Sequence, residues 1–210
     1  MRKLSIALAS ATVVAVLLLP AIASASCGWS VIDHEISQDE HGMWNPKVYR
    51  GIMAAASIAD LGGALWEGAD SRIGKTMWQD VDSQLYSVVG VEAGKYIFTR
   101  TRPSQADDPC LWFQGSGNYS FPSGEAAWSA SLVTPFILEY GSEHPAVYSL
   151  LLLPAYVGVG RLKAQAHWQT DVLFGWAVGG LAGWYAHSRK TPLIVEVLPH
   201  GLFVGLKTRF

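Results

Sequence analysis

Between residues 172 and 186 the chain carries no charged side chain, and glycine recurs at every fourth position, as Gly175, Gly179 and Gly183. On a helix that spacing places all three on one ridge. A ridge without side chains lets a second helix approach closely, in water or in lipid. Such a chain is expected to pack helix on helix. The ridge is not by itself a membrane signal. No run after residue 25 approaches the ~20 apolar residues that span a bilayer. A soluble or membrane-peripheral helical domain is therefore expected, with short spans in a multi-pass protein as the competing reading.

The remaining segments agree with a bundle. Residues 33–45 are polar and irregular, and Pro46 suits the first position of a helix. A helix rich in small residues follows over 48–68. A second is expected over 76–101, stopped by Pro103. The loop 104–122 is dense in turn formers, and three helices are expected after it, over 124–140, 146–161 and 167–187. The last 20 residues hold two β-prone runs about Pro199, His200 and Gly201, which read as a hairpin. The expected fold class is all-α: a helical bundle over 26–190 with a short C-terminal β-hairpin over 191–210.

At 210 residues, with 50% hydrophobic and 15% charged, the chain can bury a sizeable core and is not disordered in composition. The balance of 15 basic against 17 acidic residues gives no general reason to bind nucleic acid, so any basic site is local. Residues 1–25 pair Arg2 and Lys3 with an apolar run and small residues at Ala23 and Ala25, the pattern of a secretory signal. An uncleaved anchor is the alternative, and lipidation at Cys27 a weaker one. Export, to the periplasm, would put Cys27 and Cys110 in an oxidising compartment, where a disulfide is expected. Two buried thiols are equally compatible with the spacing.

Three clusters carry candidate chemistry. His167 and Asp171 are four apart, so on a helix the carboxylate can fix the imidazole tautomer and free the other ring nitrogen to attack. Arg161, six residues earlier, can bind the group attacked. Lys95 and Arg102 are seven apart, about two helical turns, and offer a phosphate a point charge and a planar fork. Arg100 falls on a different face and reads as a solvated side chain. At 122–125, Pro-Ser-Gly-Glu opens a helix whose free amides suit an anion. Taken singly, each cluster also has an ordinary structural reading as a cap, a solvated face or a helix-end charge.

Taken in order, Lys95, six residues, Arg102-Pro103; then Pro122-Ser123-Gly124; then Arg161, five residues, His167, three residues, Asp171 resemble the type 2 phosphatidic acid phosphatase superfamily. The resemblance implies that family's helical bundle and a phosphoryl-transfer site needing no metal or other cofactor. It makes His167 the nucleophile that forms a phosphohistidine and Asp171 its orienting partner. Lys95, Arg102, Ser123, Gly124 and Arg161 would hold the phosphoryl oxygens. The family usually has a His after Pro-Ser-Gly to protonate the leaving group, and here that position is Glu125. Three outcomes follow: Glu125 is the acid, or a helix-start residue where the leaving group needs little help, or the protein is inactive.

The resemblance, with 9 Trp, 8 Tyr and 7 Phe in an apolar chain, points to a lipid-linked phosphate as substrate: phosphatidate-like, polyprenyl diphosphate or lipid A phosphate. A periplasmic acid phosphatase on small phosphoesters is the alternative. A vanadium haloperoxidase and a non-catalytic binding or assembly protein are the readings outside hydrolysis. Possible peripheral membrane contact belongs with the lipid reading, and the sequence leaves the oligomeric state open.

Overall fold

A computed structural model of the chain describes residues 31–189 and the backbone of two strands beyond them. A 3-10 turn at Gly42–Trp44 leads into α1, Pro46–Glu67. Asn45 caps that helix by accepting from the Lys47 amide, and Pro46 takes the first position, where no N–H is missed. Helix α2, Arg72–Phe98, is capped by Ser71 and ends where Thr99 turns left-handed. Helix α3 is Gly124–Tyr140. A 3-10 stretch at Pro145–Leu151 runs on into α4, Leu152–Lys163, and α5 is Gln169–Ser188. Strands β1, Leu193–Leu198, and β2, Gly201–Leu206, pair antiparallel with Leu193 opposite Leu206.

The boundaries differ from the sequence reading where backbone chemistry intervenes. The second helix starts four residues earlier, because Ser71 supplies a cap, and stops at Phe98 before the expected 101. Residues 146–161 are not one α-helix: the first part is wound as 3-10. The last helix begins at Gln169, so His167 precedes it. The joined stretch Pro145–Lys163 is one helical run of 19 residues, long and apolar enough to cross a membrane by length and composition, which the sequence reading did not anticipate. The expected signal at 1–25 and Cys27, hence the Cys27–Cys110 pairing, lie outside the described residues.

Helices α3 and α5 pack in the closest contact of the bundle, along the glycine ridge. A Cβ on Gly175 would stand 2.5 Å from the Ser123 carbonyl oxygen, one on Gly179 2.1 Å from that of Ala127, and one on Gly183 2.5 Å from Thr134 Cβ. Tyr49, Met53, Leu132, Val133 and Val157 form a buried cluster joining α1, α3 and α4. Pro135, inside α3, removes the amide that would serve the Ser131 carbonyl. The Ser83 hydroxyl of α2 donates to that oxygen instead, at 3.0 Å, so the defect becomes a helix–helix bond.

The ridge makes a paired prediction. Gly179→Ala drives a methyl into a backbone carbonyl and should cost about 3 kcal/mol. Gly180→Ala, where an added Cβ meets nothing within 4 Å, should stabilise by about 0.5–1 kcal/mol through helix propensity. Chemical denaturation of the two variants checks both signs.

Candidate active site

The loop before α3 is laid against α2 at Gly94, where an added Cβ would stand 2.6 Å from Pro122 Cδ. Ser123 is fully buried; its amide donates to the Asp171 carbonyl at 2.9 Å and its hydroxyl caps the Ala126 amide at 3.4 Å. A Cβ on Gly124 would lie 3.5 Å from Lys95 Nζ, so the ammonium stands over the first turn of α3. Lys95 also pairs with Glu92 at 3.2 Å. Arg161, in the last turn of α4, is 4% exposed and donates to the Tyr49 hydroxyl at 2.9 Å.

Arg102 does not share a helical face with Lys95, as the spacing suggested, because α2 ends four residues before it. The chain instead turns back after Thr99, and Arg102 Nη2 donates to the Tyr119 carbonyl at 3.3 Å, beside the loop that carries Ser123. Burial and the neighbouring Arg161 both lower the Arg102 guanidinium from its ordinary value. Each of two like charges held this close disfavours the other's charged form, a repulsion that an anion between them would relieve.

His167 is 2% exposed, and its Nδ1 lies 2.6 Å from the Ser120 carbonyl. A carbonyl only accepts, so Nδ1 carries the hydrogen and Nε2 presents a lone pair. The tautomer is therefore set by Ser120 and not by Asp171, whose Oδ2 is 3.9 Å from Nδ1. Asp171 acts one step removed: its Oδ2 accepts from the Ser120 hydroxyl at 2.5 Å and the Trp168 amide at 2.9 Å, which brackets the His167 backbone and its partner. Burial, then Arg161 and Arg102, hold the imidazole well below its ordinary pKa. That shift favours the neutral ring.

Arg100 is the clearest departure from the sequence reading. It is not a solvated side chain but is fully buried. Nε reaches the Pro109 carbonyl at 3.1 Å; Nη1 reaches Thr170 Oγ1 at 2.8 Å and Asp171 Oδ1 at 2.6 Å; Nη2 reaches Asp33 Oδ2 and the Pro109 carbonyl, each at 2.6 Å. All five of its N–H groups are used. The guanidinium also stacks on Trp112, 4.2 Å from the ring centre. Face counting failed here because the helix had already ended, and because the partners lie 67 and 71 residues away.

Glu125 lies among the cations. Its Oε1 accepts from Arg50 Nε at 3.0 Å and Nη2 at 2.7 Å, while Oε2 lies 3.2 Å from Arg161 Nε and 4.0 Å from His167 Nε2. Burial would raise this carboxyl, but Arg161 and Arg50 outweigh it and leave the pKa below the ordinary value. Arg50 escaped the sequence reading. Its one signal was to be the single charged residue between 48 and 59 in an otherwise small and apolar helix.

Gly124, Glu125 and the cations around them open into a cavity of about 960 Å3 between α1 and α2. Arg50, Lys95, Arg102 and Arg161 line its charged part. Ala54 and Leu61 of α1 and Val81, Leu85, Val88 and Val91 of α2 line the rest. From Arg50 to Leu61 the wall is about 16 Å long at the helical rise. Midway, Ser57 donates to Gln84 Oε1 at 2.6 Å and Trp128 Nε1 points at both, 3.1 Å from each.

Two measurements test this arrangement. Protonating His167 requires passing below its lowered pKa, so nitrogen-detected NMR should still show the neutral Nδ1–H tautomer at about pH 6.5, where a free imidazole is half charged. Arg100→Met leaves Asp33 and Asp171 buried without their partner and should cost about 3–5 kcal/mol in denaturant unfolding.

Comparison with known proteins bears on the same segments. A family model described as the PAP2 superfamily matches residues 83–192. A lipid A 1-phosphatase of Porphyromonas gingivalis is 34% identical over 134 residues, which is 63% of this chain and 27% of that protein. The chain thus spans about a quarter of that relative's length. The crystal structure of Aquifex aeolicus LpxE aligns with a TM-score of 0.44 at 18% identity, over 68% of this chain and 86% of that one. With more than half of its length matched by the family model, across the segments that supply Lys95, Ser123 and His167, the chain belongs to the PAP2 superfamily.

Proposed function

We propose that the protein is a phosphatase that hydrolyses a lipid-linked phosphomonoester or diphosphate through a phosphohistidine on His167. The observation that carries this is the setting of one ring nitrogen. The His167 Nε2 lone pair is free of the Ser120 bond, and Lys95, Arg102 and Arg161 all lie near enough to depress the ring. Phosphoryl transfer asks little of a protein beyond an aligned nucleophile and charge around the equatorial oxygens, and these groups supply both. The Ser123 hydroxyl, which accepts from Ala126 and still has its own hydrogen to give, and the Gly124 amide add donors at a helix start. Asp171 keeps the Ser120–His167 bond in register.

The apolar wall of the cavity supports a lipid-linked substrate over a small ester. A phosphate held at the cations would direct its organic part along Ala54, Leu61, Val81 and Leu85. The relationship to a lipid A 1-phosphatase supports the same class. Export directed by residues 1–25 belongs to the same reading, and would put the site outside the cytoplasm.

Phosphate release should be measured on phosphatidate, a polyprenyl diphosphate, a lipid A 1-phosphate and 4-nitrophenyl phosphate, each in detergent. At least one lipid-linked substrate should exceed the nitrophenyl ester by about tenfold or more in kcat/KM, about 1.4 kcal/mol of extra transition-state binding. His167→Ala should reduce every rate to background. Equal rates on all four would favour the small-ester phosphatase, and full activity in the His167 variant would remove the phosphohistidine.

A further inference from the structure

His167 stands in the short stretch between α4 and α5, two residues after Gln165, whose φ of 48° puts a non-glycine residue in the left-handed region. Such a backbone persists only where its surroundings over-determine it. The start of α5 has a weakness of its own. Trp168 opens the helix with an indole, which donates but has no oxygen to accept from a free amide. Residues 33–39 meet both needs by running alongside residues 163–170 in the opposite direction. The Asp39 amide donates to the Lys163 carbonyl at 3.0 Å, and Gln165 Nε2 donates to the Ile36 carbonyl at 3.2 Å. Gln169 and His34 exchange two bonds: Gln169 Nε2 to the His34 carbonyl at 2.8 Å, and the His34 amide to Gln169 Oε1 at 3.0 Å. Asp33, buried at the end of this strap, accepts from the Thr170 amide on Oδ1 at 2.8 Å. Its Oδ2 accepts from the Thr170 hydroxyl at 2.7 Å and from Arg100 Nη2 at 2.6 Å. Asp33 thus serves the first turn of α5 as a capping side chain would, from 137 residues away.

On the phosphohistidine reading above, we propose that Asp33 is a positioning residue for His167, and that residues 33–39 are a strap that holds the nucleophile's loop in its reactive pose. Asp33 does not line the cavity, and it lies outside residues 83–192, which the family model matches. Its action runs along two routes. Through Thr170 it fixes the first turn of α5, directly after His167. Through Arg100 it holds Asp171, whose Oδ2 fastens the Ser120 hydroxyl, while the Ser120 carbonyl takes the His167 ring. The ring and its carbonyl partner are therefore both referred to one buried carboxylate. An amide at position 33 cannot replace it. It has one oxygen, where the Thr170 amide and the Arg100 guanidinium each need an acceptor on a different side.

The consequence is a separation of turnover from binding. Lys95, Arg102 and Arg161 are anchored elsewhere, at Glu92, Tyr119 and Tyr49, so the cations should still bind substrate where the ring has lost its pose. The test uses the full chain carrying Asp33→Asn, or Gln169→Ala as a milder change at a half-buried position, with Glu35→Ala, exposed on the same strap, as the control. Each protein is assayed on 4-nitrophenyl phosphate and on a lipid A 1-phosphate, with rates expressed per folded molecule, and its His167 is followed by nitrogen-detected NMR. Asp33→Asn should lower kcat by about 100-fold with KM changed by less than about twofold, the scale of a reacting atom misplaced by about 1 Å. Its His167 should show a mixture of tautomers in place of the single Nδ1–H form. Gln169→Ala should move both readouts the same way, with about a tenfold loss of kcat. Glu35→Ala should match the wild type in both.

A folded Asp33→Asn protein with the wild-type kcat would make Asp33 a residue of stability alone and overturn the proposal. So would a loss of kcat with the His167 spectrum unchanged, or a rise in KM at constant kcat. If Asp33→Asn does not fold, Gln169→Ala decides by the same two readouts. If the wild type releases phosphate from no substrate, the phosphatase reading fails by itself, and the His167 spectra of the variants still decide whether the strap sets the ring.

Discussion

Arg100 is a positive charge with no access to water, and the site depends on it. A buried guanidinium is tolerated only when its charge and its donors are matched. Here two carboxylates and a carbonyl meet it, one carboxylate from the segment before α1 and one from the first turn of α5. Asp171, so held, fastens the Ser120 hydroxyl and the Trp168 amide, and between those two points stands His167. The tautomer of the catalytic candidate is thus controlled through two intermediaries by a residue whose side chain faces away from the cavity.

Around His167 the protein accumulates positive charge and balances it only in part. Arg161 and Arg102 are close enough to repel one another, and Lys95 stands over the start of α3. Such an arrangement is costly in a folded chain unless an anion visits or resides. Glu125 is a resident anion that occupies part of the space, bound on one side by Arg50 and on the other by Arg161. A histidine at this position would have added another potential cation. The carboxylate lowers the standing repulsion, and that same ionisation removes a proton donor.

The cavity connects this charged end to an apolar wall through geometry that is local to each helix. On α1, residues 50, 54, 57 and 61 fall on one face, and on α2 residues 81, 84, 85, 88, 91 and 95 fall on another. The two faces do not close on one another. They leave a trough with the cations at one end and apolar side chains along its sides. The Ser57–Gln84–Trp128 bonds bridge the two walls to α3, which keeps the trough at fixed width.

Helix number and the glycine ridge were legible in the sequence, because each rests on spacing within a few residues, and the three motifs were legible as an order of residues along the chain. A four-residue period places Gly175, Gly179 and Gly183 on one side of a helix whatever that helix packs against. The roles of Arg100, Arg50 and Asp171 were not legible in this way. Arg100 and Arg102 lie past a helix end set by the left-handed turn at Thr99, so helical arithmetic no longer applies to them. The His167–Asp171 spacing suggested a direct bond, yet α5 begins only at Gln169, and a carbonyl from residue 120 takes the ring nitrogen. Whether Glu125 holds a proton depends on Arg50, 75 residues away, and on Arg161. Local periodicity is a property of the chain. Burial and the partner of each charge belong to the assembled bundle, since both are set by which distant segments share one low-dielectric space.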